Sequence, residues 1–214
     1  MKKLLLLAVI ILFTPALFAQ ESGSALQLSV DYSYFRFAEN TYIPNFSLNG
    51  GGASISYFFN KHIGVKADFQ DYGSHSLNFA VPASSAPCSG LADCPISVSS
   101  NFFTYAVGPV VRFHVKKVQP FAEVMFGGAH DSSFAKIYNA CYNQSGCVNL
   151  SKQPNNNAFA WILGGGLDIP FKEHVAIRPI QVDYVHTSFG DSLTNILPTT
   201  QKNFRYLGGI VIKF

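Results

Sequence analysis

Apolar and polar residues alternate with a period of two in eight stretches of this chain. That period puts successive side chains on opposite faces of a strand. In residues 26–37, Leu26, Leu28, Val30, Tyr32 and Tyr34 share one face, while Gln27, Ser29, Asp31 and Ser33 share the other. Residues 50–59 set Ala53, Ile55, Tyr57 and Phe59 against Gly52, Ser54 and Ser56. Residues 63–72 set Ile63, Val65, Ala67 and Phe69 against Gly64, Lys66, Asp68 and Gln70. Residues 102–113 set Phe103, Tyr105, Val107, Val111 and Phe113 against Thr104, Ala106, Gly108 and Arg112. In residues 120–129 the polar face holds Glu123, and Phe121 and Met125 fall on that same face. Residues 158–169 oppose Phe159, Trp161, Leu163 and Leu167 to Ala160, Gly164, Gly166 and Asp168. Residues 175–187 oppose Val182 and Tyr184 to Gln181 and Asp183, with Pro179 blurring the first half as a bulge would. Residues 204–214 put Phe204, Tyr206, Ile210, Ile212 and Phe214 opposite Arg205 and Lys213, and Asn203 just before them falls on the Arg205 side.

The connections alternate as well. Residues 60–62, 114–119 and 170–174 are short links; residues 38–49, 73–101, 130–157 and 188–202 are long ones. Strict alternation brings all the long loops to one end. Segments of about ten residues suit tilted strands that cross a bilayer. A sheet with one apolar and one polar face could also form a soluble sandwich, but the loop asymmetry favours a barrel with lipid outside. The expected fold is an all-β, eight-stranded antiparallel transmembrane up-and-down β-barrel. It has short periplasmic turns and four longer extracellular loops, and the last segment closes on the first.

Composition narrows the class. Charged residues make up 13% of the chain, against about 25% in soluble domains, while aromatics reach 14%. Residues 1–19 open with Lys2 and Lys3, continue in an apolar run and end on small residues. They read as a cleaved signal peptide, the apolar run being shorter than the roughly 20 residues a spanning helix needs. Residues 20–214 are then one barrel domain. Losing the two lysines lowers a formal charge of +3 by two, which leaves no basic stripe for nucleic acid.

The motifs GPVVRF (residues 108–113), QPFAEVMFGGAH (119–130), GGGLDI (164–169), DYVHTSFG (183–190) and the terminal GGIVIKF occur in an order that resembles the OmpA-like family of outer-membrane β-barrels. The resemblance covers essentially the whole of residues 20–214. It implies a Gram-negative outer-membrane location, surrounding lipid and lipopolysaccharide, and folding by a barrel-assembly machinery. Gly209, Ile212 and Phe214 match that family's terminal assembly signal. Relatives often carry a following peptidoglycan-binding domain. This chain stops at Phe214, so that role is not expected.

Three constellations bear on function. The inward set contains Lys66, Asp68, Arg112, Glu123, Asp168, Asp183 and Arg205. Buried charges must pair or coordinate something, so an ionic plug is expected, Arg112 and Arg205 bridging Glu123, Asp168 and Asp183. A narrow pore for ions or polar solutes is the alternative. Cys88 and Cys94 share the second long loop, and Cys141 and Cys147, equally spaced, share the third. An oxidising export route favours disulfides over a metal site. Four cysteines allow three connectivities. Each local pair would restrain the unfolded chain by about 2 kcal/mol. Finally, His186 and Ser188 superficially resemble the His-x-Ser pair of lipid A deacylases. That chemistry needs a third group to orient the histidine, and no Glu follows Glu173; Asp191 is the nearest substitute. The expectation is a non-enzymatic, monomeric scaffold that presents disulfide-stapled loops to a surface ligand, without cofactor or metal.

Overall fold

The computed structural model describes residues 26–37, 47–81, 94–132, 157–189 and 200–214. They form eight strands: β1 (Leu26–Arg36), β2 (Ser47–Phe58), β3 (Ile63–Val81), β4 (Cys94–Arg112), β5 (Gln119–Asp131), β6 (Asn157–Lys172), β7 (Val175–Phe189) and β8 (Thr200–Lys213). Each strand pairs antiparallel with its sequence neighbours, and β8 returns to β1 in a closed barrel. Closure runs from Gln27 opposite Lys213 to Arg36 opposite Phe204. The Phe214 amide extends it by donating to the Leu26 carbonyl over 2.9 Å. No sheet edge is left where β8 meets β1.

The two faces separate as the alternation requires. In β1 every second residue is buried and its neighbours are exposed. Val30, Tyr32, Phe69, Tyr105, Val107, Phe126, Phe159, Leu163 and Ile210 lie on the exposed outer surface, an arrangement that only lipid makes favourable. Aromatic contacts cluster at both rims of this apolar band. Phe103 stacks on His130 and Trp161 on His186 toward the loops, and Tyr57 meets Phe59 edge-on near the turns. Such girdles mark membrane interfaces.

Three differences from the sequence reading have local causes. Residues 73–101 were expected as one loop; instead β3 and β4 continue as a paired ribbon to Val81 and Cys94. A bulge between Asp71 and Ser74 separates this ribbon from the barrel wall. Gly73 sits there with φ of 63°, a left-handed conformation that only glycine adopts without penalty. Beyond the bulge the ribbon needs no lipid-facing period, so the sequence lost its alternation. At the opposite end, β6 runs on to Lys172, leaving Glu173 and His174 as the turn in place of the expected 170–174. Pro170 lacks an amide hydrogen, and the ladder is irregular on both sides of it. At the start of β2, pairing begins at Ser47 rather than residue 50.

Candidate functional site

The barrel interior gathers the charged residues. Lys66, Arg112, Arg178, Arg205 and Lys213 face Asp31, Asp68, Glu123, Asp168 and Asp183 across it, all buried. The numbers of cations and carboxylates balance. Register explains the central belt: Glu123 lies opposite Gly164, Gly164 opposite Asp183, and Asp183 opposite Arg205, in one row over β5, β6, β7 and β8. Gly164 is bare for a reason, since a Cβ there would collide with the Asp183 carboxylate.

Arg205 is fully buried and ties both sides of the lumen together. Its Nε donates to Asp183 at 2.8 Å on the neighbouring strand. Its Nη1 donates to Asp68 at 2.8 Å on β3, across the barrel. Lys66 Nζ donates to Glu123 at 2.9 Å. Gln181 bridges these groups, its amide nitrogen donating to Glu123 and Asp183 and its oxygen accepting from Lys66 and Arg178. Arg178 grips Asp168 with two parallel bonds, Nε at 2.7 Å and Nη2 at 3.1 Å. That fork geometry is the strong form of a charge-assisted pair.

Toward the loops, aromatics cover the belt. Phe35, Phe37, Tyr72 and Phe102 pack with ring centroids 4.7 to 5.4 Å apart. The Tyr72 hydroxyl pairs with Ser33 Oγ at 2.9 Å. On the far wall Ala129, Ala158 and Ala160 are buried, and their small size leaves room for the rings. Toward the turns, Phe58, Val110 and Phe121 form an apolar layer. Arg178 lies over the Phe121 ring at 4.5 Å.

The expected pairing is therefore corrected in two places. Arg112 bridges none of Glu123, Asp168 or Asp183; its guanidinium stacks on Phe58 at 3.9 Å. Glu123 is met by Lys66, and Asp168 by Arg178. Arg178 faces inward because the register slips between Arg178 and Gln181. Pro179 and Ile180 are exposed, and the residues flanking them both point in. The sequence signal was Pro179 itself, which fixed a bulge but not its length. Asp31, which accepts from Ser29 at 2.8 Å, also belongs to the interior set.

His186 and Ser188 share the outer face of β7, and His186 stacks on Trp161 with centroids 5.3 Å apart. Asp191 lies outside the described residues, as do Cys88, Cys141 and Cys147; Cys94 opens β4. Among the described residues no group of three or more His, Cys, Asp or Glu is placed to hold a metal. Gly209 and Ile212 lie in the closing pairing with β1.

Outside the membrane span, His114 sits in the turn after β4, its ring 5.8 Å from His62. Burial, then the positive charges of Arg112, His62, Lys213 and Lys61, push its imidazole below the ordinary histidine value.

The family model for the outer membrane protein beta-barrel domain matches residues 4–206. No curated protein sequence matches the chain. Among solved structures, the chain is similar to the outer membrane protein OprG from Pseudomonas aeruginosa, at 11% identity and a TM-score of 0.54, over 92% of this chain and 99% of that one. Neisserial surface protein A is similar at 12% identity and a TM-score of 0.51, over 91% and 100% of the two chains. Ail, the attachment invasion locus protein of Yersinia pestis, matches at 17% identity and a TM-score of 0.47, over 88% and 97%. At these identities the likeness is one of fold.

Proposed function

The chain belongs to the outer membrane protein β-barrel family, and from that premise we propose that it is a non-enzymatic scaffold whose sealed barrel holds interaction loops at the cell surface. The observation that supports this reading is the cross-lumen tie: Arg205 joins Asp68 on one wall to Asp183 on the other, beneath a lid of four packed aromatic rings. An interior filled by side chains suits an anchor better than a conduit. The loops between β1 and β2, β3 and β4, β5 and β6, and β7 and β8 then carry the contact function, as loops on rigid scaffolds commonly do. The β3–β4 ribbon raises the second of them above the wall. Local disulfides, Cys88 to Cys94 and Cys141 to Cys147, would stiffen two of the loops. Lipid and lipopolysaccharide surround the barrel, the barrel-assembly machinery reads β8, and the protein acts as a monomer.

One observation favours the pore reading. Gln27 Nε2, Asp31 Oδ1 and Gln70 Oε1 are buried without a protein partner, and water in a narrow passage would satisfy them. Swelling of proteoliposomes in small sugars and salts separates the two. The scaffold predicts swelling no faster than in protein-free vesicles; solute-dependent swelling would establish the pore. Peptide mapping of exported, thiol-blocked protein tests the staples. It should recover the two local disulfide peptides, whereas peptides linking Cys88 or Cys94 to Cys141 or Cys147 would replace local staples with a bridge between loops.

A further inference from the structure

The belt of ion pairs consumes Asp68, Glu123, Asp168 and Asp183. Among the described residues two buried cations remain, Arg112 and Lys213, and both stand at the periplasmic mouth, where the short turns lie. Arg112 is only 5% exposed, yet its Nε has no hydrogen-bond partner. Among the described residues no carboxylate bridges it. The Phe58 ring beneath it offsets part of the charge and fixes the guanidinium plane. Lys213 Nζ donates to Gln119 Oε1 at 2.6 Å, a neutral partner. Asp168 is the carboxylate whose charge reaches both, and it is already gripped by Arg178, so neither cation has an ion-pair partner of its own, a costly arrangement for a buried charge.

Both residues line one cavity of about 360 Å³, together with His114, Gln119, Lys172 and Glu173. Three lysine or arginine charges face a single carboxylate there. The space corresponds to about a dozen waters at the liquid volume, ample for a phosphate and its shell. Burial first, and then the same positive charges of Arg112 and Lys213 with those of His62 and Lys61, hold the His114 imidazole below the ordinary histidine value.

We propose that the periplasmic mouth is an oxyanion site, built to take a phosphate group with the Arg112 guanidinium and the Lys213 ammonium as its donors. The phosphate can come from an inner-leaflet lipid headgroup or from a soluble phosphate, and the chemistry of capture is the same for both. Charge-assisted donors held by neighbouring side chains need little ordering on binding. The site is independent of whether the lumen conducts.

The test follows the His114 imidazole by NMR in the refolded full chain. One arm titrates inorganic phosphate into protein in zwitterionic detergent. A second compares nanodiscs of phosphatidylcholine with nanodiscs containing phosphatidylglycerol. An anion bound beside Arg112 favours the imidazolium, so the His114 midpoint should rise by roughly one unit. A saturable rise with inorganic phosphate identifies a soluble ligand. A rise only with phosphatidylglycerol identifies the headgroup. Arg112→Gln and Lys213→Gln should each weaken the response about tenfold or more, as loss of a charge-assisted bond does. Lys116→Gln, on the same turn but outside the cavity, should leave it unchanged. Heat-modifiable gel mobility checks that each variant is folded. No saturable change in either arm, or a change that survives the Arg112→Gln/Lys213→Gln double variant, would overturn the proposal.

Discussion

At the scale of single residues, the interior separates two kinds of buried cation. Arg178 and Arg205 hold carboxylates, and removing either leaves an uncompensated buried charge, a loss of typically about 3–5 kcal/mol. Among the described residues Arg112 forms no ion pair and feels the charge of Asp168 only at longer range, so Arg112→Ala should lower the urea midpoint far less than Arg178→Ala in the same lipid. Equal losses would put a carboxylate partner on Arg112 after all. A double-mutant cycle of Arg178→Ala with Asp168→Asn should show strong coupling, whereas Arg178→Ala with Glu123→Gln, joined by the Gln181 bridge and by longer-range charge without an ion pair, should couple more weakly. His114 adds a pH dependence. Its folded-state value is lowered, so the unfolded chain binds the proton first as pH falls. Stability contributed by this residue is therefore present at neutral pH and lost as pH drops below about 6.5. Comparing urea midpoints across that window, His114→Gln should show a shallower acid-side decline than the unmodified chain. The inward positions were legible from period-two counting wherever a strand is regular, as at Lys66, Asp68, Glu123 and Asp183. Arg178 was not legible because the slip at Pro179 and Ile180 resets the count, and pairing partners depend on reach across the lumen, which a one-dimensional pattern does not contain.

At the scale of elements, the short turns and the bulge carry the strain. Lys116 has φ of 50° in the turn that follows the Arg112 strand end, a left-handed conformation that costs an L-residue roughly 1–2 kcal/mol. Lys116→Gly should thus raise the midpoint, by an amount equivalent to at most about 1 kcal/mol of stability once the greater flexibility of the unfolded glycine is subtracted. An unchanged or lower midpoint would show that Lys116 makes a compensating contact. The strands themselves test the lipid face. Val107 is 54% exposed at the middle of the membrane part of β4, so Val107→Arg should cost about 2–4 kcal/mol in a bilayer. The same change at exposed Lys117, to Arg, should be silent. The eight elements were legible because each must satisfy lipid on one side for about ten residues. The ribbon beyond Gly73 was not, since above the membrane Ser, His and Asn in strands need obey no apolar period.

At the scale of the whole molecule, closure is the organising fact. β8 pairs with β1 from Phe204 to Lys213, as the terminal alternation of Phe204, Tyr206, Ile210 and Ile212 implies. A closed barrel whose strands are paired on both sides with no free edge should resist detergent until heated. The purified chain should therefore migrate faster unboiled than boiled; a chain that stays soluble without detergent would contradict the membrane reading. The central claim is that ion pairs and aromatics seal this barrel, and planar-bilayer recording of the refolded protein tests it most directly. The account predicts no steady conductance from the unmodified chain and intermittent openings once Arg205→Ala releases Asp68 and Asp183. Steady ohmic current through the unmodified protein, unchanged by Arg205→Ala, would contradict it.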